Sequence, residues 1–325
     1  MTTLNLLRRA AVMGSLALLV SAPAVAQVDY PTTPITIVIG YPPGGSTDLT
    51  GRTLGHELSK RLGVPVVIEN LGGAGGAIGA QKVANAQPDG YTLLVGANNE
   101  IAISRLVSSA VKYQIKDFTP IGLIASQPMV LVASQKSGVK NLEQFLTVVK
   151  QNPGKFSYGS SGVGTALHLA GEMIKEQGGL FMTHIPYRGV APLTNDLLGN
   201  NVDFGVFVLS SGLPHIRSGK VIALGTTEAK RSAVTPDIAA LAENPKLKGI
   251  DINSWFALMG PAKLPEPVLA RLKKAFNEAM QSPDLRKKLE DTSSTLAPLN
   301  VDMPKFLNAE AAKYQKIVDF AKIKE

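Results

Sequence analysis

The sequence contains no cysteine, and this absence excludes several kinds of chemistry at once. Disulfides, iron–sulfur clusters and thiol catalysis all require cysteine. Histidine is scarce too, and the spacing of the four histidines matches no metal-binding motif; they are His56, His168, His184 and His215. We therefore expect no metal and no cofactor, and a fold that is stabilised by packing alone.

Long apolar runs are equally scarce. Arg8 and Arg9, the apolar stretch that follows them up to Val20, and the A-x-A tripeptide at 24–26 have the order of a secretory signal peptide with its cleavage site. The stretch is too short for a permanent membrane helix, no cysteine follows it for lipid attachment, and the rest of the sequence has no second stretch of membrane length. We expect residues 1–26 to be removed and the mature chain to be a soluble exported protein.

The charge balance is basic, with a formal net charge of +8 at pH 7. A positive balance favours anionic ligands through long-range attraction. Lysine-rich helical segments near the C-terminus account for most of it as solvated faces. The sequence shows no basic stripe with interleaved aromatic residues, so we do not expect nucleic-acid binding.

Strand-forming runs alternate with helical patterns over most of the chain, which predicts an α/β fold with largely parallel sheets. Ile35–Ile39, Thr92–Val95 and Met129–Ala133 are three of the predicted strands. The last third differs, because the patterns that follow Ile252–Met259 are almost wholly helical. Helices without a sheet of their own must bury their apolar faces against another part of the chain.

This arrangement predicts two lobes. We expect the chain to cross to a second lobe near Ser126 and to return near Ile252, so that the C-terminal helices cover the first lobe. Lobe 1 is then discontinuous (27–126 and 252–325), and lobe 2 comprises 127–251. Each lobe is expected to be a largely parallel sheet flanked by helices, with the ligand cleft between the lobes at the carboxyl ends of the strands.

Two loops carry most of the functional information: YPPGGSTD at 41–48 and YGSSGVGT at 158–165. Each follows a predicted strand and precedes a helical pattern, so its backbone N–H groups and hydroxyls lie at the positive end of a helix. Such a turn can bind an oxygen of a carboxylate or a phosphate. Two such turns in one chain suggest one ligand that is held from both sides.

The candidate binding residues lie in these loops and at strand ends. Asp48 would complement the dipole of its helix but repel an adjacent anion, so we expect it to be an N-cap or to hold an ordered water. For Asn98 and Asn99, donation into the cleft and simple turn formation are equal alternatives. The loop donors are Gly44, Gly45, Ser46 and Thr47 in the first lobe and Ser160, Ser161, Gly164 and Thr165 in the second.

Two further candidates have a structural alternative. His168 lies one turn into the second helix, where a lone histidine is more often a structural residue than a ligand group. Arg188 follows the predicted strand at His184–Tyr187, and it is either a partner for a carboxylate or a solvated side chain.

The order of these segments resembles a known family, the Bug-type periplasmic receptors of tripartite tricarboxylate transporters. The resemblance covers essentially the whole mature chain, with one small departure at Leu71-Gly72, where many members carry a basic residue and a proline. The segments that carry it are YPTTPITIVIGYPPGGSTD (30–48), GRTLGHELSKRLGVPVVIENLGGAGGAIGA (51–80), PDGYTLLVG (88–96), YGSSGVGTALHLAGE (158–172), IPYRGVAPLTNDLLGNNVDF (185–204) and GPAKLPEPV (260–268).

The resemblance implies a two-lobe fold that closes on a small carboxylic acid without catalysis and delivers it to membrane permease subunits. It also implies, by position, a binding role for the loop donors named above and for Asp48 and His168. Tyr187, Arg188 and Gly189 match a further segment of the family. We expect a monomer that binds a carboxylate, and not a phosphate, because the loops offer neutral donors and at most one arginine.

Two other functions stay open at this stage. The first is an exported α/β serine hydrolase with Ser160 or Ser161 as its nucleophile, although the loop fails the G-x-S-x-G pattern in either register. The second is an adaptor that senses carboxylates and does not take part in transport. Transport and sensing need the same cleft, so the sequence does not separate them.

Overall fold

The structure is a computed structural model that describes residues 29–232 and 235–323. The predicted signal peptide lies outside the described residues. The chain divides into a first unit at Met1–Tyr30 and a second at Pro31–Glu325. The fold and the site described below belong to the second unit.

The second unit alternates strands and helices, as predicted. The strands are β1 (Ile35–Ile39), β2 (Val66–Asn70), β3 (Thr92–Ala97), β4 (Phe118–Ser134), β5 (Ser157–Ser160), β6 (Thr183–Pro186), β7 (Phe204–Val208), β8 (Val221–Thr226), β9 (Asn253–Pro261) and β10 (Thr295–Leu296). The helices are α1 (Ser46–Leu62), α2 (Ala77–Ala84), α3 (Ser104–Val107), α4 (Leu142–Gln151), α5 (Ala166–Gly178), α6 (Val190–Leu198), α7 (Leu209–Arg217), α8 (Glu266–Met280), α9 (Pro283–Asp291) and α10 (Met303–Ala321). A π-helical turn, Asn99–Ile103, precedes α3.

The strands form one curled, mixed sheet with the order β2-β1-β3-β9-β4-β7-β5-β6, and β8 and β10 pair with β4 outside this path. The pairs among β1, β2 and β3 and among β5, β6 and β7 are parallel. The pairs that involve β4 or β9 are antiparallel. The sheet is therefore less parallel than expected, because two long strands run between the two parallel groups.

Strand β4 exchanges its partners part-way along its length. From Phe118 to Pro128 it pairs with β9, and from Met129 onward it pairs with β7 and β8. The chain returns to β9 close to this exchange of partners. Ile252 N donates to Thr227 O, and β9 begins one residue after Ile252. The parallel strands thus form two groups, one on each side of this exchange.

Helix α1 lies close against β1 because it carries two glycines on its inner face. A Cβ at Gly51 would come within 2.6 Å of Ile39 Cδ1, and a Cβ at Gly55 within 3.2 Å of Ile68 Cδ1. Leu54 and Leu58 are fully buried beside them. This packing fixes the N-terminus of α1 at the carboxyl end of β1.

The C-terminal helices pack on more of the molecule than expected. Helix α8 packs on α1, whereas α10 contacts both β4 and α5, the helix that follows the second glycine loop. Trp255 Nε1 and Tyr314 Oη both donate to Glu310, at 2.8 and 2.6 Å. Helix α10 is therefore tied to β9 by the hydrogen bond from Trp255 and by the packing of the Trp255 ring against Phe306.

We expect Glu57→Gln to destabilise the protein by about 1–2 kcal/mol near neutral pH. Glu57 is 2% exposed on α1. Burial alone would raise its pKa, but hydrogen bonds from Lys60 and Arg61 lower the pKa of Glu57 to about 2, below its ordinary 4.5. Its side chain accepts from Lys60 Nζ at 2.7 Å, and this lysine is half-exposed, which weakens the pair.

The destabilisation by Glu57→Gln should depend on pH, and its direction follows from the lowered pKa of Glu57. A carboxyl whose folded pKa is lowered stabilises the fold above its ordinary pKa, and the contribution disappears as the pH falls through the folded value. The difference in unfolding free energy between the wild type and Glu57→Gln should therefore be constant above about pH 5 and vanish at about pH 2. Urea denaturation at a series of pH values measures it, and a difference that persists at acidic pH would exclude the ion pairs as its cause.

Candidate ligand-binding site

A cavity of about 1310 Å³ opens where the carboxyl ends of both parallel groups of strands meet. Pockets of about 300–1,000 Å³ are usual for small ligands, so this one accommodates a small molecule together with water. Its wall comes from both sides of the partner exchange in β4. It includes residues at 40–47, 72–78, 104–113, 161–167 and 187–192.

The first glycine loop is held in place by Asp48. Asp48 Oδ2 accepts from Gly44 N at 2.8 Å and from Arg52 Nε at 2.9 Å, and Asp48 Oδ1 accepts from Asn70 Nδ2 at 2.8 Å. Burial alone would raise the pKa of Asp48, but the hydrogen bonds from Arg52 and Gly44 hold it below its ordinary value. The carboxylate therefore points at its own loop, beneath the cavity.

The N-cap of α1 is Gly45, so the first of the two roles expected for Asp48, that of an N-cap, is wrong, and the role of holding an ordered water stays a prediction. Asp48 occupies the third position of the helix because α1 already begins at Ser46. No side chain of the described residues caps this helix. The first N–H groups of a helix have no partner within it, so Ser46 N and Thr47 N are left for a ligand or water.

A third glycine loop, at 72–76, also lines the cavity, and it is not one of the two predicted binding loops. It follows β2, whose carboxyl end lies beside that of β1. A Cβ at Gly76 would lie 2.9 Å from Glu100 Oε2 and 3.0 Å from Tyr41 Oη, so only glycine fits there. The glycine cluster after a strand was the signal in the sequence that could have revealed this wall.

The second loop uses its hydroxyls internally. Thr165 is the N-cap of α5, where its Oγ1 accepts from His168 N at 3.4 Å and donates to Gly162 O at 2.8 Å. Ser161 lines the cavity, and its Oγ donates to Thr165 Oγ1 at 3.3 Å. Thr165 therefore shapes the loop. Its hydroxyl hydrogen is donated to Gly162 O, whereas the prediction directed it at a ligand.

Asn99 joins the two sides of the cavity. Its Oδ1 accepts from Ala166 N, in the first turn of α5, at 2.7 Å, and its Nδ2 donates to Tyr41 Oη at 3.2 Å. Its neighbour Asn98 is fully buried, and its Nδ2 donates to Tyr314 Oη and Asn253 O at 2.9 and 3.0 Å. Of the two predicted asparagines, the structure thus places only Asn99 in the wall.

His168 and Ser160 lie beneath the second loop. His168 Nδ1 accepts from Gly164 N at 3.0 Å, and its ring stacks on His184 at 3.8 Å between centroids. Burial lowers the pKa of His168 to about 4 and that of His184 to about 3, so both rings are neutral at neutral pH. His168 therefore supports the loop, as its structural alternative predicts, and neither it nor Ser160 belongs to the wall.

Tyr187, Arg188 and Gly189 form the last part of the wall. Tyr187 N and Gly189 N donate to Ser160 O and Ser161 O, at 3.0 and 3.2 Å, so this segment is tied to the second loop. Tyr187 Oη donates to Asp196 at 2.9 Å. Arg188 is exposed. Of the predicted site residues, those in the wall are Gly44, Gly45, Ser46, Thr47, Asn99, Ser161, Gly164, Thr165, Tyr187, Arg188 and Gly189.

The electrostatic character of the wall is positive. Among its residues in the described part of the chain, Arg188 alone carries a charge. The N-termini of α1, α5 and α6 also border the cavity, and each is equivalent to roughly half a positive charge. Across 29–232 and 235–323, no group of three His, Asp or Glu side chains could hold a metal ion.

Comparison with known proteins agrees with this geometry. Residues 50–323 match the family described as "Tripartite tricarboxylate transporter family receptor". The chain belongs to this receptor family. The periplasmic binding protein BugD is 31% identical, with a TM-score of 0.82 over 91% of this chain and 99% of BugD. The predicted family and the two-lobe periplasmic-binding fold are confirmed.

Two further structures of R. palustris proteins contain acids. One, determined with adipate, is 30% identical and has a TM-score of 0.85 over 91% of this chain and 99% of its own. The other, MatC with bound malate, is 28% identical and has a TM-score of 0.81 over 89% of this chain and all of its own. Members of this family are periplasmic solute receptors, a class of proteins that is generally non-enzymatic. Within the described residues, no helix is long and apolar enough to cross a membrane.

Proposed function

We propose that this receptor captures a small organic carboxylate in the cavity between its two lobes. The observation that carries the proposal is the uncapped N-terminus of α1, which borders a cavity whose wall, among the described residues, holds one arginine and no carboxylate. Helix α5 begins on the opposite side of the same cavity. Backbone N–H groups at helix N-termini bind anionic oxygens, and the related structures with adipate and malate support a carboxylate as that anion.

A carboxylate fits this wall better than a phosphate. The donors are backbone N–H groups, hydroxyls such as that of Ser46, and Arg188. A tightly held phosphate dianion usually recruits several positive side chains. In the part of the chain that the structure describes, the wall also lacks a carboxylate to pair with an ammonium group, so acids without an amino group are the preferred class.

We further propose that residues 1–26 direct export to the periplasm and that the mature chain delivers its ligand to the permease subunits of a tripartite transporter. The lobe limits are proposed as 27–126 with 252–325 and as 127–251. The exchange of partners in β4 after Pro128 and the start of β9 at Asn253 support these limits. The receptor acts without catalysis and as a monomer.

One contact bears on the hydrolase alternative. Ser160 Oγ lies 2.7 Å from His184 Nε2, the distance of a nucleophile and its base. Ser160 is fully buried, however, and the His184 ring is stacked on both His168 and Tyr158. A nucleophile must reach its substrate, so this pair supports the loop and favours a receptor over an enzyme.

We expect dicarboxylates such as adipate and malate to raise the melting temperature of the mature protein, and phosphate esters to leave it unchanged. A ligand at 100 times its dissociation constant stabilises a protein by about 2.7 kcal/mol, which is several degrees for a chain of this size. A thermal-shift panel of monocarboxylates, dicarboxylates, amino acids and phosphate esters measures this directly.

Two results would count against the proposal. Stabilisation by phosphate esters alone would assign the site to another anion. Hydrolysis of generic esters that disappears in Ser160→Ala or Ser161→Ala would restore the hydrolase alternative. Heat-denatured protein serves as the control for spontaneous hydrolysis.

A further inference from the structure

The structure places one buried carboxyl group directly behind the cavity wall, and the function proposed above does not use it. Glu100 is 1% exposed and lies in the π-helical turn that follows β3. Its Oε1 accepts from Ala97 N at 2.7 Å, and its Oε2 lies 2.6 Å from Tyr41 Oη. In the described part of the chain it has no ion-pair partner.

The hydrogen bonds around Tyr41 require more hydrogens than an ionised Glu100 leaves available. Tyr41 Oη lies 2.9 Å from Gly75 O and 2.6 Å from Glu100 Oε2, and both of these oxygens are acceptors when Glu100 is ionised. A phenol has one hydrogen, so it satisfies one of them. A proton on Glu100 Oε2 supplies the missing hydrogen: Glu100 then donates to Tyr41, and Tyr41 donates to Gly75 O.

The remaining contacts fit the protonated arrangement. Asn99 Nδ2 donates to Tyr41 Oη at 3.2 Å, so the phenol oxygen accepts two hydrogens and donates one. Asn99 Oδ1 accepts from Ala166 N of α5. A chain of hydrogen bonds thus runs from the 72–76 loop through Tyr41 and Asn99 to the second lobe, and Glu100 supplies one of its hydrogens.

The electrostatic surroundings favour the same state. The pKa of Glu100 is raised from its ordinary 4.5 to about 7, because the effect of burial outweighs the opposing effect of the hydrogen bonds from Tyr41 and Ala97 N. The titratable groups that face it are the phenols of Tyr41 and Tyr113, and Tyr113 Oη donates to Glu100 O at 2.6 Å. Burial and the neighbouring Glu100 raise the pKa of both phenols, so neither is charged near neutral pH.

We propose that Glu100 carries a proton in this arrangement and that the capture of a carboxylate in the cavity is coupled to that proton. The coupling rests on the proposed function. Loss of the proton turns the hydrogen of Tyr41 away from Gly75 O and places a negative charge immediately behind Gly76 and Tyr41, both of which line the cavity. Each change opposes an anionic ligand, so Glu100 acts as a positioning residue for the wall.

The test is isothermal titration calorimetry with adipate and with malate from about pH 6 to about pH 9, a window in which ordinary carboxyl groups are ionised. We expect the wild-type affinity to fall by about threefold to tenfold across the window, and proton uptake on binding to be greatest between about pH 7 and about pH 8, where the affinity changes with pH. In Glu100→Gln the amide donates to Tyr41 as the protonated acid does. Its affinity at about pH 9 should therefore equal that of the wild type at about pH 6, without a pH dependence.

Glu57→Gln is the matched control, because Glu57 is as buried as Glu100 but is paired with cations and does not belong to the cavity wall. The affinity of Glu57→Gln for the acids should change with pH as the affinity of the wild type does. A wild-type affinity that does not change with pH, or one that changes equally in Glu100→Gln, would overturn the coupling while leaving carboxylate binding intact.

If neither these two acids nor any other carboxylate of the thermal-shift panel binds, the proposed function fails, and a measurement without ligand decides on the proton. A carboxyl with a raised folded pKa stabilises the fold below its ordinary pKa of 4.5, and this stabilisation is lost as the pH rises through the folded value. The wild type should therefore lose stability relative to Glu100→Gln between about pH 5 and about pH 8 in urea denaturation. Equal pH profiles of the two proteins would show that Glu100 is not protonated.

Discussion

Replacing Asp48 with alanine is expected to weaken carboxylate binding by on the order of 100-fold and to destabilise the fold by about 2–4 kcal/mol. Asp48 is 2% exposed and accepts hydrogen bonds from Gly44 N, Arg52 and Asn70. Alanine leaves these buried donors without their acceptor. The loop that presents Ser46 N and Thr47 N to the cavity then loses the contact that sets its conformation.

The charge of Asp48 acts in the opposite direction, since removing an anion should help an anionic ligand. The geometric effect should win because Arg52 and two other donors already neutralise this carboxylate. Titration calorimetry gives the affinity, and urea denaturation gives the stability. The affinity is measured at a temperature at which circular dichroism shows that the variant is folded.

Arg52→Ala separates the effect of Asp48 on the shape of the loop from the effect of the ion pair. The Arg52 side chain is 48% exposed, so its ion pair with Asp48 contributes about 0–1 kcal/mol. This variant keeps the bonds to Gly44 N and Asn70, and its affinity should change by no more than about threefold. Should Asp48→Ala bind the acid as tightly as Arg52→Ala does, the first loop would not depend on Asp48 for its shape.

The strands next to the site show what a sequence pattern can and cannot predict. The run Met129–Ala133 was predicted as a strand, but it is the last part of β4, which begins at Phe118. Pro120, Gly122 and Pro128 interrupt the earlier part, and such residues argue against a strand. The pairing with β9 accommodates them through register shifts near Pro120 and Ala125. The local pattern does not contain this long-range pairing.

The predicted binding loops depend on local chemistry and were therefore largely accessible from the sequence. The two glycine loops each follow a strand and precede a helix, as predicted. The third loop was missed because its contribution depends on β2 lying beside β1, a sheet order that residue types do not encode. Asn98 and Asn99 are adjacent, and only the start of the helical turn decides which of them faces the cavity.

Replacing Gly164 with alanine in the second loop is expected to weaken carboxylate binding by about 10- to 100-fold. Gly164 has a φ of +67°, which costs a residue with a side chain roughly 1–2 kcal/mol. An added Cβ would also lie 2.4 Å from Val107 Cγ2, a buried side chain in the facing wall. Relief of this overlap moves the loop away from Val107 and widens the gap that a ligand must bridge.

The double variant Gly164→Ala/Val107→Ala tests whether contact across the cavity is the cause. Removing the Val107 methyl groups removes the 2.4 Å overlap, but the Val107 Cβ stays 3.0 Å from the added Cβ and the strain at positive φ remains. We therefore expect about half of the lost binding free energy to return. X-ray scattering should show ligand-induced compaction in the wild type and in the double variant, and less of it in Gly164→Ala. If the Val107 change restores neither affinity nor compaction, backbone strain alone explains the loss. If Gly164→Ala binds normally while Asp48→Ala does not, the ligand is held by the first lobe alone, and a two-sided clamp is excluded.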